Sequence, residues 1–106
     1  MAKYLASGTY TLDGIRGVMK EGGTGRRRAI EALAVSMGGK LESLYWGFGH
    51  NDFYLIVDLP DNVTAAAVSM LVAATGAAQP QITVLLTAEE VDEATRRSGT
   101  YRPPGQ

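Results

Sequence analysis

The only histidine of this chain, His50, stands two residues before a carboxylate in the run Gly49-His50-Asn51-Asp52. Imidazole is the one side chain that changes charge near neutrality without perturbation. Residues two apart in an extended segment share a side, so His50 and Asp52 are candidates for a catalytic acid–base pair or for two ligands of a metal ion. The same residues also read as a solvated turn in which Asn51 and Asp52 bond to the local backbone. One histidine and no cysteine leave a tight transition-metal site short of ligands unless carboxylates come from elsewhere. No metal and no cofactor are expected.

A second candidate is Gly22-Gly23-Thr24-Gly25-Arg26-Arg27-Arg28. A glycine-rich loop opening a helix can bind an anion through backbone donors and the helix dipole, with Arg26 and Arg27 as ligand-binding residues. The run lacks the Gly-Lys-Ser/Thr ending of a phosphate loop, and it follows helix rather than strand, unlike a dinucleotide fingerprint. Its plainer reading is a helix break followed by a solvated basic face balanced by Glu31. A third candidate is aromatic. Tyr10, Tyr45, Trp46 and Tyr54 can line a cavity between sheet and helices, or at a dimer interface, where buried hydroxyl and indole groups orient a small apolar ligand. Plain packing is the competing account, because aromatics favour strands. No serine–histidine–acid spacing and no paired-carboxylate signature stands out.

These residues must be positioned by a small fold. The 106 residues suit one domain. With 45% hydrophobic and 20% charged residues the composition is that of a globular chain rather than a disordered one. A net charge of −1 removes the electrostatic case for a nucleic-acid binder. Without cysteine there is no disulfide. The N-terminus turns polar by Ser7, too soon for a signal peptide, and no apolar run approaches the ~20 residues that span a bilayer. A cytoplasmic protein without membrane contact is expected.

Lys3 to Tyr10 reads as a first strand. A helix follows, interrupted at Gly22-Gly23 and resumed near Thr24. Ile30, Leu33, Ala34 and Met37 form one apolar stripe on it, and Gly38-Gly39 stops it. Lys40 to Phe48 and Phe53 to Leu59 read as strands of a tight hairpin turning at Gly49 to Asp52. Pro60 ends the second strand, and Asp61 or Asn62 caps a helix whose stripe is read as Val63, Ala66, Ala67, Met70, Leu71 and Ala74. Ile82 to Leu86 is the fourth strand. Thr87-Ala88-Glu89-Glu90 is a capping box opening a short helix to about Arg97, and the tail, residues 98–106, is expected to be mobile. The order is that of a ferredoxin-like α+β domain spanning residues 1–97: βαββαβ with a C-terminal helix.

Two helices cover only one face of such a sheet, and the strands do not alternate as a half-wet sheet should. Phe53-Tyr54-Leu55-Ile56-Val57 has no strongly polar residue on either face, and Leu41 and Tyr45 would lie opposite Leu44, Trp46 and Phe48. Leaving the uncovered face wet would expose more than the roughly 300–600 Å² apolar patch of an ordinary monomer. A second copy related by a two-fold axis is therefore expected to cover it.

Tyr4-Leu5, Gly8-x-Tyr10-Thr11, Gly14-Ile15-Arg16-Gly17, Gly38-Gly39-Lys40-Leu41-Glu42, Tyr45-Trp46-Gly47-Phe48-Gly49, Asp58-Leu59-Pro60-Asp61-Asn62 and Leu86-Thr87-Ala88-Glu89-Glu90 together resemble the GYD domain family. The resemblance covers all but the tail. It implies a small bacterial protein with a dimeric α+β barrel fold, and no defined biochemical role. At the motif behind the family name, Gly49 and Asp52 match while Asn51 replaces the aromatic residue. The function expected is a homo-oligomeric small-molecule-binding or interaction module. The alternative is a cofactor-independent enzyme, oxygenase- or isomerase-like, using His50 with Asp52 or a tyrosine for proton transfer.

Overall fold

The computed structural model describes all residues, 1–106. It is an α+β chain in the order β1 (Ala2–Tyr10), α1 (Leu12–Ser36), β2 (Lys40–Trp46), β3 (Phe53–Leu59), α2 (Asn62–Ala74), β4 (Ala78–Leu85) and α3 (Ala88–Thr95). The four strands form one antiparallel sheet in the order β2-β3-β1-β4, the ferredoxin-like arrangement. No helix is long and apolar enough to cross a membrane.

Period-two alternation divides β1. Tyr4, Ala6, Gly8 and Tyr10 share a face with Val57, Leu55 and Phe53 of β3 and with Ile82, Pro80 and Ala78 of β4. The helices lie on this face. Tyr4, Ala34, Val57, Leu59 and Ala65 form the buried core, and the Tyr4 hydroxyl donates to Asn62 Oδ1 at 2.7 Å, which ties β1 to the start of α2. Pro80 is tolerated because β4 is an edge strand.

α1 breaks where its glycines predict. Gly22 sits at φ 81°, ψ 168°, a conformation that only glycine adopts readily. Beyond it Ile30, Leu33, Ala34 and Met37 face inward as the stripe requires. α2 corrects its stripe. Val63, Met70 and Leu71 are exposed, and Ala65, Val68, Ser69 and Val72 turn to the sheet. Both sets recur at helical spacing, and a helix apolar nearly all round carries too little contrast to choose between them.

Two strand boundaries also differ from expectation. β2 ends at Trp46, and Gly47 to Asp52 form a longer loop in which Phe48 has φ 52°. A register shift between Leu41 and Ser43 pairs Leu41 with Val57, so Leu41 joins Leu44 and Trp46 on the helix side rather than lying opposite them. β4 begins earlier than its apolar run, at Ala78, because β1 pairs with it along the whole length.

The uncovered face is mixed. Leu5, Tyr45, Tyr54, Ile56 and Leu85 lie among Ser7, Thr9, Gln79, Gln81 and Thr83. Near its edge Lys3 Nζ meets Asp58 Oδ1 at 2.9 Å and Glu42 Oε2 at 3.2 Å. Asp58 first, then Glu42, holds the Lys3 ammonium above its ordinary range.

The cap of α2 offers a test with a pH signature. Asp61 Oδ1 accepts from Thr64 N at 2.8 Å and from Thr64 Oγ1 at 2.7 Å. These bonds, the backbone one foremost, hold its carboxyl below the ordinary 3.8. A depressed folded-state pKa means the stabilisation is present above 3.8 and is lost as pH falls through the folded value. Asp61→Ala is expected to lower Tm at pH 7, and the gap from the wild type should narrow as melts are taken below pH 3.8.

Candidate functional site

Ala6 and Ala78 place little volume on the helix side of the sheet, and the two helices stand on either side of that gap. The result is an apolar cavity of about 80 Å³. Its floor is Ala6, Phe53, Leu55, Ala78, Pro80 and Ile82; its roof is Ile30, Leu33 and Ala34 of α1 with Val68, Ser69 and Val72 of α2. A cleft of about 430 Å³ adjoins it between the helices, sharing Tyr10, Arg26, Ile30, Leu33, Val72 and Ala78 and adding Asp13, Glu21 and Thr75 at its rim.

Few polar groups reach this space. Trp46 Nε1 donates to Tyr10 Oη at 2.9 Å, so the phenol accepts one bond and keeps its own proton for another partner. The Tyr10 and Phe53 rings lie 5.2 Å apart at 46°, a tilted contact of the favourable kind. Gly23, just past the break in α1, lies against the indole of Trp46. The break thus brings α1 down over β2 and aims Arg26 at the mouth, where its guanidinium is about 3.4 Å from Glu21 Oε2.

Of the sequence candidates, the structure brings Tyr10, Trp46 and Arg26 together at this cavity. Tyr45 and Tyr54 lie on the opposite face of the sheet. Arg27 points away, exposed and paired with Glu31 at 3.7 Å.

His50 and Asp52 do not line the cavity. His50 is exposed in the loop. Asp52 is spent on the fold. Its N–H donates to Gly8 O at 2.7 Å, its carbonyl accepts from Gly47 N at 3.1 Å, and its carboxylate accepts from Tyr10 N at 2.9 Å. It joins the hairpin to the end of β1 and sets the position of Tyr10. No group of three or more His, Asp or Glu side chains is placed to hold a metal ion.

The GYD domain family model matches residues 4–95. The chain belongs to the GYD domain family. Comparisons with curated proteins and with solved structures returned no match. Within this GYD domain the aspartate of the loop has a plain structural use, as the clasp between Gly8 and Tyr10.

Sequence reading missed the cavity floor and the α2 half of its roof. Ala6 and Ala78 carry no chemistry by type, and their meaning, like that of Ser69, lies in the volume they omit. The spacing of 65, 68, 69 and 72 was available as a signal, hidden by the apolar residues around it.

The clasp predicts a contrast. Asp52→Ala strands the Tyr10 N–H and is expected to cost about 1–3 kcal/mol in urea unfolding. His50→Ala should stay within about 0.5 kcal/mol of the wild type, as exposed positions do.

Proposed function

We propose that this GYD domain is a self-associating module that holds a small apolar molecule between its sheet and its two helices. The observation that carries the reading is the cavity, apolar apart from Ser69, a tyrosine hydroxyl fixed by an indole and an arginine at its mouth. Small-molecule sites are of this kind: mostly apolar walls with a few placed polar groups. The role of His50 and Asp52 as a proton-transfer pair finds no support in their placement, one exposed and the other engaged by β1.

Self-association is supported by the uncovered face and by the C-terminal arm. A compact chain of this length has a radius of gyration near 13 Å, whereas this one has 16.7 Å and extends 55 Å along its longest axis. α3 buries no residue, and Val91 and Tyr101 are exposed beyond the sheet. A capped helix without tertiary packing is marginal at this length, which favours a second copy as the surface it packs on.

Two measurements test the reading. Sedimentation at micromolar concentration should give a dimer, and a chain ending at Leu86 should lose only the helical signal of α3 from its circular dichroism while its dimer weakens about 10-fold or more. A monomer at all concentrations overturns self-association. For the cavity, a slender quencher such as 1-bromohexane should bind and quench Trp46, the single tryptophan. Ser69→Leu, which fills the roof, should abolish the quenching; quenching that survives it overturns the cavity reading.

A further inference from the structure

Resting on the cavity reading, we propose that the natural ligand is a slender apolar monocarboxylate, its tail in the cavity and its carboxylate at the mouth between Arg26 and the Tyr10 hydroxyl.

Three observations converge on that chemistry. The first is shape. At about 80 Å³ the chamber is smaller than the ~150 Å³ cavity that accommodates benzene. A ligand must therefore be narrow where it enters and continue into the cleft, which at about 430 Å³ has room for more of it. An alkyl chain reaching in from the cleft meets this requirement.

The second is the supply of donors. Tyr10 and Arg26 line both spaces, so they mark the passage between them. The Tyr10 hydroxyl accepts from Trp46 Nε1, and its proton remains free to donate to a further partner. A guanidinium has donors and no acceptor. A ligand oxygen at this passage is therefore an acceptor, and a planar carboxylate matches the guanidinium fork better than a hydroxyl or a carbonyl does.

The third is the state of Arg26. Its one anionic partner, Glu21, lies across the break in α1 at about 3.4 Å, with 42% of its side chain exposed. Such a pair is weak. An incoming carboxylate at the mouth can displace it, and Glu21 then competes with the ligand. That competition gives the two residues opposite expected effects.

The experiment is calorimetric titration of the full chain with octanoate and with octan-1-ol, which share a chain length and differ in charge, followed in parallel by Trp46 emission. Octanoate is expected to bind more tightly than octanol. Arg26→Gln should weaken octanoate about 10-fold and leave octanol unchanged within about twofold. Glu21→Gln should tighten octanoate about threefold, again without effect on octanol. Retained octanol binding certifies that each variant is folded. If octanol binds as tightly as octanoate, or if the two variants move octanoate in the same direction, the carboxylate assignment is wrong and the apolar cavity stands. If neither compound binds at millimolar concentration, the cavity reading falls with it.

Discussion

β1 pairs along its length with β3 on one side and β4 on the other, and this central position constrains everything built on the sheet. Its side chains toward the helices run Tyr4, Ala6, Gly8, Tyr10: large, small, absent, large. The absence at Gly8 is required, because a Cβ there would collide with the Gln79 carbonyl and press on the Phe53 ring. Phe53 lies across that position instead and stacks toward Tyr10. Small residues at the centre of a floor let helices approach, yet α1 leans on β2 and α2 on β4, so neither fills the middle. The cavity is thus the consequence of strand pairing, omitted side-chain volume and two helices that stand apart.

The other face of the same strands raises a different problem. Charges there would oppose burial against a partner unless they were already satisfied, since an unpaired buried charge is far costlier than an exposed one. Lys3 is paired within its own chain to Asp58 and Glu42, linking β1, β3 and β2. The ion cluster therefore needs nothing from a second copy. Leu5, Ile56, Leu85 and the two tyrosines lie beside that cluster, whereas Lys40, which shares the face through its pairing with Asp58, has no ion pair of its own.

How far the sequence could be read depended on contrast. The order of elements, the break at Gly22, the Asp61 cap and the Thr87–Glu90 capping box were legible because each has a local cause: a backbone conformation or a short-range hydrogen bond. The inward face of α2 was illegible because apolar residues occupy nearly all of its positions. The bulge that moves Leu41 to the helix side was also hidden, since register is a property of two strands and alternation was read from one. The site was half legible. Tyr10, Trp46 and Arg26 were recognisable by type, but which of the four aromatics share a face, and which arginine reaches them, depended on that bulge and on the break in α1. Asp52 was noticed for its charge and turned out to matter for its geometry.

The departure at Asn51 from the motif behind the family name can be judged on the same grounds. The loop is closed by backbone groups, Gly47 N to Asp52 O and Gly49 N to Asn51 O at 3.2 Å; neither bond needs a particular side chain at 51. What the loop must deliver is Asp52, whose carboxylate and N–H grip β1 on either side of Thr9. A slip of one residue between β1 and β3 would exchange the two faces of the sheet, sending Tyr10 away from the cavity and bringing Thr9 into it. The clasp opposes that slip at the very end where Tyr10 meets Trp46. An asparagine at 51 leaves the clasp whole, so the replaced aromatic leaves intact the contacts that hold Tyr10 in the cavity.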